Sequence, residues 1–94
     1  MIRIIIERFI ADSLEANYED TSMETLQKAI RAPGFISGEA LIDTQNSLHR
    51  FILCNWRSLH DWQQWEQSTE RKDMMSKLNL MFEKEEKFTI LKTS

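Results

Sequence analysis

Two groups of side chains in this sequence have the chemistry of a small-molecule site. The first is polar, could supply a base or stabilise an anion, and consists of His49, His60, Asn55 and Arg57. An imidazole is a general base near neutral pH, and an amide or a guanidinium can stabilise an anion. The second group is apolar and could line a pocket that excludes water: Phe51, Trp62, Trp65, Met74, Met75 and Phe82. The same aromatic and methionine residues at helical spacing are also typical of a packed core.

The sequence lacks the residue patterns of a metal site or a nucleotide-binding site. His49 and Cys54 are five positions apart in a predicted strand, so their side chains point to opposite faces and cannot share a zinc ion. His60 is predicted on a different element. The only glycines are Gly34 and Gly38, and neither belongs to a glycine-rich turn that could cradle a phosphate. We therefore expect neither a metal nor a cofactor.

Charge and composition exclude other classes of partner. The net charge is −3, and residues 12–24 carry five acidic side chains and no Lys or Arg, which is unfavourable for binding nucleic acid. No uninterrupted apolar run is longer than four residues, far below the roughly 20 residues of a membrane span. A single cysteine and an N-terminus without signal-peptide features predict a protein of the reducing cytoplasm with no membrane partner.

The first half of the chain predicts a strand, a helix and a hairpin. Residues 2–10 are β-branched and aromatic, which favours a strand. Asp12 and Glu15 have the spacing of a capping box and predict a helix over residues 13–31, ended by Pro33-Gly34. Two strand-like segments then flank a short polar turn at residues 45–47 and predict a hairpin, with the strands covering residues 35–44 and 48–57.

The second half predicts a helical region and a last strand. Ser58 and Asp61 form another capping-box pattern at the start of that region. The apolar stripe lapses after Trp65, so we expect an interruption near Ser68-Thr69. A charged loop at residues 83–86 then leads into a final strand over residues 87–92.

These elements make one α+β domain over residues 1–94, because so short a chain has apolar residues for one core only. The order β-α-β-β-α-β is that of a ferredoxin-like sandwich, with helices on one face of an antiparallel four-stranded sheet. Both faces of this sheet are apolar, since Ile4 and Ile6 alternate with Ile5 and Phe9 in the first strand. Helices can cover one face only, so a second subunit is expected to cover the other.

Three segments carry a resemblance to a known family. Residues 33–39 read Pro-Gly-Phe-Ile-Ser-Gly-Glu, and residues 56–59 read Trp-Arg-Ser-Leu with two tryptophans and Ser68 after them. Residues 86–89 close the pattern with Glu-Lys-Phe-Thr. In this order the segments resemble the antibiotic biosynthesis monooxygenase domain over nearly the whole chain. Members are dimeric α+β barrels, so the resemblance implies a homodimer with two sheets face to face.

The resemblance also implies a pocket between sheet and helices, and members include oxygenases of aromatic polyketides and quinols that need neither metal nor flavin. We therefore expect a cofactor-independent monooxygenase for a small apolar or aromatic ligand, a quinol or a polycyclic phenol. The expected catalytic residues are Asn55, Trp65 and His49, with a water as the alternative base. The expected substrate-binding residues are Trp62, Phe51, Met75, Phe82 and Arg57.

Two alternatives remain open at this point. One is a domain that binds a small apolar ligand without converting it. The other is haem binding or degradation, because Trp65 matches the tryptophan beside the ligand in the haem-degrading branch of the family. That branch has an axial histidine where this chain has Met75 and an asparagine where it has Glu7. Imidazole ligation of the iron is therefore lost.

Overall fold

The chain folds in the predicted order of elements, with the second helical region divided in two. The computed structural model describes all residues from Met1 to Ser94. Its elements are β1 (Ile2–Phe9), α1 (Glu15–Ala29), β2 (Phe35–Asp43), β3 (Asn46–Trp56), α2 (Leu59–Glu66), α3 (Thr69–Leu78), a 3₁₀ turn (Asn79–Met81) and β4 (Lys87–Lys92). Ser68 caps α3 by accepting a hydrogen bond from the Arg71 backbone N–H, which explains the predicted interruption. None of the helices has the length and apolar character required to cross a membrane.

The four strands form one antiparallel sheet in the order β2-β3-β1-β4, the arrangement of a ferredoxin-like fold. Side chains alternate between its two faces. On the helix face, Ile4, Ile6, Ile52, Cys54 and Trp56 are buried against α1, α2 and α3. The opposite face, here called the open face, carries Arg3, Ile5, Glu7, Phe9, Ser37, Glu39, Leu41, His49, Phe51, Leu53, Asn55, Lys87, Thr89 and Leu91.

Trp56 stands at the centre of the main core. Its side chain is 1% exposed, and its ring centroid lies 5.4 Å from Phe35, 5.8 Å from Trp62 and 6.3 Å from Trp65. A second, smaller cluster lies beyond the other end of β1 and contains Ile10, Tyr18, Met75 and Leu78. The aromatic residues of the helical region therefore serve as core, as their spacing allowed, and they also border the cavity described below.

The predicted capping box at the start of α1 is wrong. The helix begins at Glu15 without a side-chain cap, and the Asp12 carboxylate instead accepts a hydrogen bond from the backbone N–H of Ser13 at 3.0 Å. Ser13 has a φ of 65°, so the chain turns sharply between the acidic side chain and the helix. The Asp12 carboxylate therefore forms its hydrogen bond within that turn and does not cap the helix. The helix also ends earlier than predicted, at Ala29.

The Pro33-Gly34 turn packs directly against the start of α2. Gly34 has a φ of 86°, and a Cβ at this position would overlap the Asp61 side chain. The Gly34 carbonyl accepts a hydrogen bond from the Arg57 backbone N–H at 2.7 Å. Ser58 caps α2 as predicted, accepting from the Asp61 N–H at 3.2 Å. Two of the segments that carry the family resemblance are thus a single packed unit.

Candidate functional site

A small cavity of about 40 Å³, here called the inner cavity, lies between the helix face and the helices. Its walls are mostly apolar and include Trp56, Trp62 and Trp65. Helix α1 contributes Ser22, Thr25 and Leu26 to its lining. A cavity that accepts benzene has a volume of about 150 Å³. An aromatic ligand can therefore enter only if the helices or the side chains around the inner cavity move apart.

Two buried arginines border the inner cavity and share one carboxylate. Arg8 Nε donates to Glu86 Oε2 at 2.7 Å, and Arg71 Nη2 donates to Glu86 Oε1 at 2.9 Å. The side chains of Arg8, Glu86 and Arg71 are 4%, 7% and 10% exposed. Arg8 also donates to the Tyr18 hydroxyl at 3.1 Å. Because guanidinium groups stay protonated, this cluster places a net positive charge beside an apolar cavity.

A larger pocket of about 450 Å³, here called the outer pocket, opens to the surface on the other side of Arg71. It is lined by Arg71, Met75, Asn79, Phe82, Lys84, Glu85, Glu86 and Phe88. Arg71 and Met75 line both spaces. These two side chains, with Glu86 paired to Arg71, therefore separate the inner cavity from a surface pocket of ligand size.

Cys54 also faces the inner cavity. Burial raises the pKa of its thiol, and the Trp56 indole N–H donates to its sulfur at 3.3 Å. A thiol of this kind stays protonated at neutral pH and is a poor base or nucleophile.

The predicted site residues divide between the two faces of the sheet. Trp62, Trp65 and Met75 meet at the inner cavity, and Phe82 lies in the outer pocket. Arg57 lies elsewhere, with a side chain that is 70% exposed and paired to Asp61. Three further candidates, Asn55, His49 and Phe51, lie on the open face, away from the tryptophans. No single pocket joins the predicted catalytic residues.

Asn55 has a structural partner on each side. Its side-chain oxygen accepts from Arg3 Nε at 3.1 Å, and its amide donates to Ser37 Oγ at 2.9 Å. Asn55 therefore links three neighbouring strands across the open face. The odd-numbered residues of β3 point to this face, because the even-numbered Ile52, Cys54 and Trp56 point into the core.

His49 is held between two carboxylates on the open face. Its Nδ1 lies 2.9 Å from Asp43 Oδ2, and its Nε2 lies 2.6 Å from Glu7 Oε2. The ring stacks on Phe9 with a centroid distance of 4.3 Å. Lys84, whose ammonium lies 3.9 Å from the centre of the Phe9 ring, is the nearby cation of this cluster. The hydrogen bonds to Asp43 and Glu7 raise the pKa of His49 above its usual 6.5.

This raised pKa predicts a pH-dependent stability. Because protonated His49 is favoured in the folded state, its contribution is complete below pH 6.5 and is lost as the pH rises through the higher folded value. We expect the free energy of unfolding in urea to fall from about pH 6 to about pH 8, and the His49→Gln variant to lack this component. NMR titration of the His49 ring checks the cause. A midpoint at or below 6.5 would contradict the prediction.

The sequence reasoning missed the Arg8, Arg71 and Glu86 cluster. One clue was present, since Arg8 has the same strand phase as Ile4, Ile6 and Ile10 and must therefore point toward the helices. Glu86 lies in a charged loop and Arg71 in the polar gap of the helical region. Nothing in their local sequence distinguishes them from solvated residues.

Comparisons with known proteins agree with this fold. The model of the antibiotic biosynthesis monooxygenase family matches residues 1–77. A conserved protein of Methanosarcina mazei has a similar structure, with a TM-score of 0.92 at 15% identity over 99% of this chain and 92% of its own. SnoaB, a cofactor-independent oxygenase of Streptomyces nogalater, has a TM-score of 0.86 at 13% identity over 98% of this chain and 92% of its own. None of the curated proteins matches the chain.

Proposed function

The chain belongs to the antibiotic biosynthesis monooxygenase family, and we propose that it is a cofactor-independent monooxygenase acting on a quinol or a polycyclic phenol. The observation that carries the proposal is the inner cavity, which is walled by tryptophans and bordered by two guanidinium groups sharing one carboxylate. SnoaB, which has the same fold, is a cofactor-independent oxygenase and gives further support.

In the proposed reaction the substrate itself reduces oxygen. A polycyclic phenol in its keto form loses one proton from the ring CH₂ group to give a delocalised anion. The anion transfers one electron to O₂, and the resulting radical and superoxide combine into a carbon–oxygen bond. Loss of the second ring proton breaks the O–O bond and releases water. Overall, the CH₂ group becomes a carbonyl, and O₂ takes four electrons to supply one oxygen atom to the product and one to water.

The residues around the inner cavity suit the anionic stage of this reaction. Arg8 and Arg71 would stabilise the substrate anion in surroundings of low polarity, where charge interactions are stronger than in water. The tryptophan walls would exclude water from the reactive intermediate. The Cys54 thiol is protonated and His49 lies across the sheet, so the base in this proposal is a water molecule.

Substrate entry requires the inner cavity to widen. Its volume of about 40 Å³ is smaller than a single aromatic ring, whereas the outer pocket of about 450 Å³ has room for a small polycyclic ligand. Met75 and Arg71 line both spaces and form the wall that they share. We propose that the substrate binds first in the outer pocket and displaces this wall.

Oxygen consumption tests the proposed function. The purified, metal-free protein is incubated with a panel of hydroquinones and anthrones while dissolved oxygen and product are followed. We expect uptake well above buffer for at least one compound, with one O₂ consumed per carbonyl formed and no accumulation of hydrogen peroxide. Uptake equal to buffer across the panel would count against catalysis. Quenching of tryptophan fluorescence without product would instead favour the binding domain.

We further propose that the chain forms a homodimer through the open face. The central apolar residues of this face, Ile5, Phe9, Phe51 and Leu53, remain partly exposed in the single chain, and Leu41 is 42% exposed. A contiguous apolar patch on a sheet is typical of a protein interface. A second copy on this face would close the barrel that the family fold implies.

A further inference from the structure

We propose that the site selects aromatic ligands that carry an oxyanion, and that this oxyanion displaces Glu86 from Arg71 on its way from the outer pocket to the inner cavity. The inference rests on the proposed function for the location of the ligand. It does not require turnover, because it concerns binding alone.

The first argument is the balance of buried charge. Arg8 and Arg71 are both buried and share the single carboxylate of Glu86, so one positive charge has no ionic partner. Burying an unpaired charge is unfavourable. Aromatic faces compensate in part, since the Arg71 guanidinium lies 5.6 Å from the Trp62 ring centre and that of Arg8 lies 5.6 Å from Phe82. A ligand anion would complete the neutralisation.

The second argument is the supply of free hydrogen-bond donors. Arg71 uses Nη2 for Glu86, while its Nε and Nη1 donate to no protein acceptor. Arg8 uses Nε and Nη1, which leaves its Nη2 without a partner. Each of these nitrogens is accessible to solvent, because every fully buried side-chain nitrogen or oxygen has a hydrogen-bond partner. Guanidinium donors in a plane suit the two oxygens of a carboxylate or the single oxygen of a phenolate.

The third argument is the position of the ion pair. Arg71 lines both the outer pocket and the inner cavity, and Glu86 stands beside it in the segment between the 3₁₀ turn and β4. An anion in the outer pocket therefore meets Arg71 before it reaches the tryptophans. Glu86 can yield its bond to Arg71 and keep its 2.7 Å bond to Arg8. The exchange then costs one ion pair and forms another.

Calorimetric titration with a matched pair of ligands tests the inference. Naphthoate carries a carboxylate, whereas naphthamide has the same shape and no charge, and neither has a ring CH₂ group to oxidise. We expect the wild-type protein to bind naphthoate at least about tenfold more tightly than naphthamide, which corresponds to one charge-assisted hydrogen bond. Affinities equal within about twofold, or no measurable binding of either ligand, would overturn the inference.

A pair of charge-removing variants tests the role of Glu86. Glu86→Gln removes the carboxylate that competes with the ligand, so naphthoate should bind about tenfold more tightly while naphthamide is unaffected. Glu83→Gln makes the same chemical change at an exposed position of the same segment that does not line the outer pocket, and it should leave both affinities unchanged. An equal effect of the two variants would overturn the displacement of Glu86. If Glu86→Gln does not fold, the wild-type comparison still decides the anion preference.

The outcome is distinguishable from that of the proposed function. Oxygen uptake with the anthrone panel and no preference for naphthoate would remove this inference and leave the monooxygenase. A preference for naphthoate without oxygen uptake on any substrate would support this inference and favour a binding protein.

Discussion

Replacement of Trp56 by alanine should lower the free energy of unfolding by about 4 kcal/mol, the cost of deleting a large aromatic side chain from a packed core. Trp56 is 1% exposed and contacts the rings of Phe35, Trp62 and Trp65. Its removal leaves a cavity between these side chains, which they can fill only by changing their packing. Urea unfolding followed by circular dichroism measures the change.

Two further variants separate packing from non-specific effects. Trp56→Phe keeps an aromatic ring in the core and should cost less than the alanine variant, because the residual cavity is smaller. Leu80→Ala removes an apolar side chain that is 82% exposed and should change stability by less than about 0.5 kcal/mol. A loss below about 1 kcal/mol for Trp56→Ala would show that Trp56 does not hold this core together.

The elements that could be predicted from the sequence are those with a strong local pattern. The final strand has the predicted bounds, Lys87–Lys92, and Ser58 caps α2 as its spacing to Asp61 indicated. The start of α1 could not be predicted in the same way. Asp12 and Glu15 have the same spacing as a capping box, but the φ of 65° at Ser13 directs the chain elsewhere. The spacing of two residues makes a capping hydrogen bond possible, but it does not determine the backbone conformation that the bond requires.

Strand phase also explains how far the candidate site could be predicted. Alternation in β3 already predicts that His49, Phe51 and Asn55 lie on the face opposite to Trp56, and the structure shows that the helices cover the Trp56 face. The same alternation in β1 places Arg8 on the face of Ile4 and Ile6, which is the face that the helices cover.

The partners of Arg8 could not be deduced in this way. Glu86 is 78 residues distant from Arg8 and 15 residues distant from Arg71. Only the packing of β1, α3 and the loop before β4 brings the three charges together. Local periodicity carries no information about such contacts, whereas it does determine which face of a strand is apolar.

Replacement of Leu53 by glutamate should convert the proposed homodimer into monomers. Leu53 lies on the open face between Ile5 of β1 and Glu39 of β2. Two-fold symmetry places the change on both subunits, so the dimer loses two buried leucines. At about 1.5–3 kcal/mol for each, the dissociation constant should rise at least about a hundredfold. Sedimentation equilibrium should find twice 11.2 kDa for the wild type and 11.2 kDa for the variant at micromolar concentration.

Leu80→Glu is the matched control, because it makes the same substitution in the 3₁₀ turn at a side chain that is 82% exposed. It should leave the dimer intact. The Leu53→Glu monomer should stay folded, since the open face of a single chain already contacts water and a glutamate there remains solvated. A folded Leu53→Glu dimer would place the interface elsewhere. Dissociation with retained circular dichroism would instead show that the apolar residues of this face serve association between subunits, while the core between sheet and helices suffices for folding.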